Sequence, residues 1–181
     1  YPFTTLEPYL GIMEVPLGNE IQRYVVADIP GLIEEASQGK GLGHQFLRHI
    51  ERCRLLLYFL YVPDENLYLS SEEQVKLLYR QYQTLYHELE EYDPNLVHRP
   101  HLVAVNKKDV LGGDFADVLT KHWPEDQAPL VLSAVTNEGL DEVKLALHEA
   151  MQQAPPLLVS ASEETSSGIP VFALPSSKHK P

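Results

Sequence analysis

Three short groups of residues, far apart in the chain, have the types and spacing to hold a nucleotide. Asn106-Lys107-Lys108-Asp109 carries the most information. Guanine presents two adjacent donors, N1–H and its 2-amino group, and one carboxylate, assigned to Asp109, accepts both. Adenine has an acceptor at N1 and no 2-amino group, so that carboxylate would face it unpaired, which a buried polar site penalises. Asn106 would tie neighbouring loops together, and the Lys107 stem would lie over the base. Ser133-Ala134 would turn a backbone N–H toward the guanine O6. Asp28-Ile29-Pro30-Gly31 sets a carboxylate at a strand end, facing a hydrated magnesium ion, beside a glycine whose amide can approach a phosphate oxygen closely. Thr4 and Thr5 offer a hydroxyl and a carbonyl to Mg2+, a hard ion that prefers oxygen and keeps several waters.

Each group has a bland alternative. D-x-x-G occurs by chance in many chains, Asn-Lys-Lys-Asp closes strands as a polar turn, Ser-Ala after a strand is commonplace, and an Asp at a strand end serves as a turn residue. Their common position, each after an apolar run, carries the reading. One piece is absent: nowhere does the chain contain G-x-x-x-x-G-K-[ST], the loop whose amides and lysine grip phosphates. Gly39-Lys40-Gly41 lacks the first glycine spacing and the hydroxyl. His44 and His49 have no matching ligand cluster. Tyr79, Tyr82 and Tyr86 read as packing residues, the acids from Glu88 to Asp93 as a solvated helix end, and Cys53 as core.

The positioning elements are legible as periodicity. Leu10–Val15 and Ile21–Ala27 are strand-like and joined by Pro16-Leu17-Gly18-Asn19, which predicts an antiparallel hairpin. The continuous apolar run Leu55–Tyr61 predicts a parallel strand buried on both faces, and His101–Val105 and Leu130–Leu132 predict two more. Helical spacing recurs over residues 44–54, about 114–122 and 138–152. Ser70 with Glu73 forms a capping box before the stripe Val75, Leu78, Tyr82, Leu85, Leu89. Strands alternating with helices predict an α/β layered sheet with ligands at the carboxyl ends of its strands. After Ala154-Pro155-Pro156 the chain turns to Ser, Pro and charge, with Val171-Phe172-Ala173-Leu174 the one apolar cluster. Residues 1–153 therefore read as the domain, and 154–181 as a linker or disordered tail.

Composition narrows the classes. The 181 residues are 44% hydrophobic and 22% charged, enough for one real core. No apolar run approaches the roughly 20 residues of a membrane span. A single cysteine excludes an internal disulfide framework and suits a reducing compartment, so the expected location is cytoplasmic. A net charge of −12 repels a phosphate backbone, so direct nucleic-acid binding is not expected of this domain. A chain opening on Tyr1 rather than Met reads as a piece of a longer protein.

Tyr1-Pro2-Phe3-Thr4-Thr5-Leu6 with Pro8 and Gly11, and Asp28–Glu34 followed by Gly39-Lys40-Gly41-Leu42-Gly43-His44-Gln45-Phe46-Leu47-Arg48-His49-Ile50-Glu51-Arg52, strongly resemble the two switch regions of Obg-family GTPases of the translation-factor class. The resemblance covers roughly residues 1–153. It implies a Ras-like P-loop NTPase fold, a three-layer α/β sandwich, mostly parallel with one antiparallel edge hairpin, whose central first strand and phosphate loop are missing from this chain. It implies GTP hydrolysis with Mg2+, with Thr5 and Asp28 at the metal. The nucleotide contacts it implies are Thr4, Thr5, Asp28, Ile29, Pro30, Gly31, Asn106, Lys107, Lys108, Asp109, Ser133, Ala134 and Val135. Leu32 stands where Ras-like proteins carry a water-orienting glutamine, so turnover should be slow, and a monovalent cation such as K+ or a ribosomal partner is left to compensate. No catalytic residue is assigned. The implied role is assembly of the large ribosomal subunit, contacted through segments outside this chain. Two departures stand out: Tyr61-Val62-Pro63 where relatives end the strand in an acid, and Lys108 where a smaller or apolar residue is usual.

Loss of the central strand should leave two neighbours without ladder partners, so the expectation for residues 1–181 is poor folding and weak GTP binding. The competing readings are a non-hydrolysing interaction module that has shed its phosphate loop, and an ATP-specific relative.

Overall fold

A computed structural model describes residues 9–28, 50–124, 126 and 128–156, together with the backbone of 171–174. Thr4, Thr5, Ile29, Pro30, Gly31, Leu32 and the start of the helix expected over 44–54 lie outside the described residues.

Tyr9–Leu17 (β1) and Glu20–Asp28 (β2) pair antiparallel along their full length, from Tyr9 opposite Asp28 to Leu17 opposite Glu20. Gly18-Asn19 makes the turn. Gly18 takes φ 63°, the left-handed value that tight hairpin turns need and that glycine adopts without a Cβ clash. Pro16 and Leu17, expected in the loop, belong to β1 instead. Proline is tolerated because, among the described residues, β1 lies at the edge of the sheet with no ladder partner on its outer side.

Leu55–Tyr61 (β3), His101–Asn106 (β4) and Leu130–Val131 (β5) are parallel neighbours. Both faces of β3 are buried, as its unbroken apolar run requires. Its side chains alternate between two cores. Leu56, Tyr58 and Leu60 meet the helix Ser71–Tyr92 (α1), the short helix Pro94–Val97 (α2) and the helix Phe115–His122 (α3). Leu55 and Leu57 point the other way, to Val143, Leu147 and Met151 of the helix Leu140–Gln153 (α4) and to Val15 and Tyr24 of the hairpin. The result is the expected three-layer α/β sandwich. All five residues of the α1 stripe are buried, and the Ser70–Glu73 capping box is formed in both directions.

The sixth strand comes from the tail. Val171–Leu174 (β6) lies parallel between β2 and β3, giving the order β1-β2-β6-β3-β4-β5. Four residues of the segment expected to be a linker or disordered tail thus complete the sheet. They occupy the central position at which a missing first strand was expected, so neither neighbour is left unpaired there. Among the described residues no helix is long and apolar enough to cross a membrane.

Candidate functional site at the carboxyl edge of the sheet

Because β2, β6, β3, β4 and β5 all run the same way, their carboxyl ends share one edge. Asp28, Tyr61 and Asn106 end their strands there, and Ser133 follows β5 by two residues. Parallel topology therefore brings together groups that are more than 100 residues apart.

The best-defined part joins the β4 and β5 ends. The Leu132 N–H donates to Val105 O at 2.9 Å and the Lys108 N–H to Leu132 O at 2.9 Å, so the ladder continues beyond β5. Side chains then cross-link the two loops. Asn106 Oδ1 accepts the Ala134 N–H at 2.9 Å, and the fully buried Ser133 donates its hydroxyl to Asp109 Oδ1 at 2.5 Å. Ser133 Oγ also accepts the Thr136 N–H at 3.1 Å. Asp109 itself is exposed, so its other oxygen can face a ligand. The Ser133 N–H goes to Glu138 O at 2.8 Å and that of Ala134 to Asn106. The next amide in the turn belongs to Val135, 84% exposed, and is the better placed to meet a ligand oxygen.

Lys107 sits in the left-handed region, φ 67° and ψ 34°, uncommon for a lysine and worth about 1–3 kcal/mol of strain. Its surroundings hold it there. Nζ lies 2.7 Å from Asp64 Oδ1 and 4.7 Å from the centre of the Tyr61 ring, so the lysine is clamped between the end of β3 and a carboxylate. Lys108, the residue out of keeping with the family pattern, pairs with Glu138 Oε1 at 2.5 Å, tying its turn to the start of α4.

Three contributors escape sequence reasoning: Asp64, Glu138 and Gly139. Asp64 supplies the carboxylate that Tyr61-Val62-Pro63 lacks, three residues past the strand end. Its one signal was an acid just beyond an apolar run. Gly139 precedes α4 at φ 75°, and a Cβ there would stand 2.3 Å from Val131 O. Only glycine allows α4 to start this close to β5.

Asp28 closes β2 opposite Ala173, partly buried. Among the described residues no group of three or more His, Cys, Asp or Glu could hold a metal unaided. A hydrated Mg2+ needs one or two carboxylates and completes its shell with water and phosphate oxygens, so a single Asp at this edge fits that ion better than a closed metal site. Away from the edge, Cys53 is buried and desolvation pushes its thiol pKa well up, which leaves it an inert core group.

Comparison with known proteins bears on the family. A family model described as "50S ribosome-binding GTPase" matches residues 1–107. The chain is 42% identical over 155 residues to GTPase Obg of Salinibacter ruber, covering 83% of this chain and 42% of that protein. It is 40% identical over 166 residues to GTPase Obg of Desulforamulus reducens, covering 91% of this chain and 37% of that protein. GTPase Obg of Desulfitobacterium hafniense is 42% identical over 156 residues, with 86% and 34% covered. The chain thus spans about two fifths of the length of these relatives. It belongs to the 50S ribosome-binding GTPase family, in its Obg branch.

Proposed function

We propose that this chain carries the guanine-recognition half of an Obg-type GTPase. Asp109 accepts the N1 and 2-amino donors of the base, Asn106 and Ser133 hold the loops, Lys107 lies against the base plane, and the Ser133-Ala134-Val135 turn offers an amide to O6. The observation that carries this reading is the double cross-link Asp109–Ser133 and Asn106–Ala134, which rigidly presents a carboxylate edge beside the turn that carries the exposed Val135. Lys108 contributes from the same turn by anchoring it to Glu138.

On the same reading Asp28 and Thr5 hold Mg2+, which would neutralise phosphate charge, and Thr4, Ile29, Pro30 and Gly31 contact the nucleotide. The whole protein hydrolyses GTP slowly, since Leu32 cannot orient water, and depends on K+ or a partner for faster turnover. It works in the cytoplasm on assembly of the large ribosomal subunit. The acidic domain, at −12, makes no direct contact with RNA.

Base recognition is testable without the phosphate loop. Titration with GMP and AMP to millimolar concentration, followed by amide chemical shifts, should move Asn106–Asp109 and Ser133–Val135 with GMP and leave them with AMP. Asp109→Asn should abolish the preference. Equal responses to both nucleotides, or a preference surviving in Asp109→Asn, would sink this reading.

A further inference from the structure

Helix α3 is short. Its eight residues make about 12 Å of helix, against about 33 Å for the 22 residues of α1 beside it. The two are joined along the first half of α1: Ser71 donates to Asp114 at 2.9 Å, and Trp123, just past α3, sets its ring edge-on to Tyr79 at 5.2 Å. The second half of α1 runs on beyond that contact. There a cavity of about 990 Å³ opens between α1, Trp123, Asp126 and the starts of β4 and β5. It lies at the amino ends of the strands, since His101 precedes Asn106 by five residues, or about 17 Å. The cavity is therefore separate from the nucleotide-type groups at the opposite edge.

Its walls are aromatic. Tyr79, Tyr82 and Trp123 stand 5.2–6.1 Å apart, ring centre to ring centre, and Tyr86 extends the row at 5.9 Å from Tyr82. Ring faces carry negative potential, which favours a cation laid against them. Glu88, Glu91 and Asp126 line the same space, and among the described lining residues there is no lysine or arginine. His101 adds no charge in its observed pairing. Its Nδ1–H donates to Arg99 O at 3.3 Å, so Nε2 is the acceptor for the Tyr82 hydroxyl at 3.3 Å. At the rim Glu91 lies 3.4 Å from His87 Nε2, an imidazole that is positive only when protonated.

A solvated helix end does not account for these acids well. Glu88, Glu90 and Glu91 fall within the last five residues of α1, whose final turn carries no basic residue. Carboxylates there meet the negative end of the helix dipole, an unfavourable placement that a bound cation would offset.

We propose that this cavity is a docking site for a short segment of a partner protein anchored by one arginine. Its guanidinium stacks on the tyrosine faces and pairs with Glu91 and Asp126. Arginine fits better than lysine because its planar, weakly hydrated group can stack on a ring and face a carboxylate at once. The volume is at the upper end for ligand pockets and exceeds one side chain, so residues flanking the arginine enter too. The site is independent of guanine recognition, and each can fail without the other.

Trp123 is the one tryptophan in the chain, so its emission reports on this cavity. Titration of the full chain with acetyl-Ala-Arg-Ala-amide should change that emission saturably. Amide shifts should move in Gln83–Glu91 and His101–Val103 and stay fixed in Asn106–Asp109. The same peptide with citrulline for arginine keeps the shape without the charge and should bind about tenfold more weakly, with the lysine peptide in between. Glu91→Gln combined with Asp126→Asn should weaken the arginine peptide about tenfold without lowering Tm, and Tyr86→Leu should weaken it about threefold. The proposal is overturned by no saturable change up to about 10 mM peptide, by equal binding of the citrulline peptide, or by undiminished binding to the double variant. Self-association of the chain through this face that shuts out the peptide would overturn it as well.

Discussion

Ser133 Oγ donates its hydroxyl hydrogen to Asp109 Oδ1 across 2.5 Å between the oxygens, from a position with no solvent exposure, while Asp109 stands in the open. A buried residue thus orients an exposed one, and the same Oγ receives the Thr136 N–H. Ser133→Ala should lower stability by about 1 kcal/mol, because the Thr136 amide loses its acceptor and the bond to Asp109 is lost. It should weaken the proposed guanine preference less than Asp109→Asn does, since the carboxylate remains. Thermal denaturation and the GMP/AMP titration separate the two effects. A Ser133→Ala chain with wild-type stability would show that the bridge is not holding the loop.

Gly139 is the tightest backbone approach in the site. Gly139→Ala forces a Cβ to 2.3 Å from Val131 O, and no side-chain rotation relieves a backbone clash at φ 75°. A loss of about 2–4 kcal/mol is expected, or roughly 5–15 °C in Tm for a chain of this size. Because Glu138 O accepts the Ser133 N–H, the substitution should also shift the Ser133–Val135 amide resonances. An unshifted Tm would contradict it.

Tyr58 lies in β3 with its ring edge-on to Tyr82 (5.0 Å) and His101 (5.4 Å), and its hydroxyl is buried without a hydrogen-bond partner. Burial raises that hydroxyl's pKa far above the usual tyrosine value. Tyr58→Phe keeps the ring and removes an unsatisfied polar group, so it should stabilise the fold by up to about 2 kcal/mol. A fall in Tm would mean that the hydroxyl finds a partner in solution.

The capping box gives a pH signature. Glu73 accepts from the Ser70 hydroxyl at 2.7 Å and the Ser70 N–H at 2.9 Å, and these bonds lower its pKa below the ordinary glutamate value. A carboxylate with a depressed folded pKa stabilises above its unfolded pKa and loses that contribution as pH falls through the folded value. The stability gap between the native chain and Glu73→Gln should therefore be constant at neutral pH and close below about pH 4.3. A gap that widened in acid would reverse the sign.

Much of this molecule is local, and so was legible. The capping box and stripe of α1 lie within about twenty residues, and an unbroken apolar run such as Leu55–Tyr61 suits a strand buried on both faces. The nucleotide-type groups were recognisable because each follows such a run. Pro16 was read as loop because proline marks breaks along a sequence, but an edge strand has a side on which no N–H is needed. Asp64 and Glu138 were passed over because their partners, Lys107 and Lys108, become neighbours only when parallel strands end at a common edge.

The amino-acid sequence by itself marked β1 to β5, α1, α3 and α4, and the groups that follow strand ends, because caps and periodicity act over a few residues. Tertiary structure alone decided what fills the centre of the sheet. Val171–Leu174 pairs with β2 on one side and β3 on the other, partners more than 100 residues away in the sequence. Four apolar residues in a polar tail carry no local mark of that role.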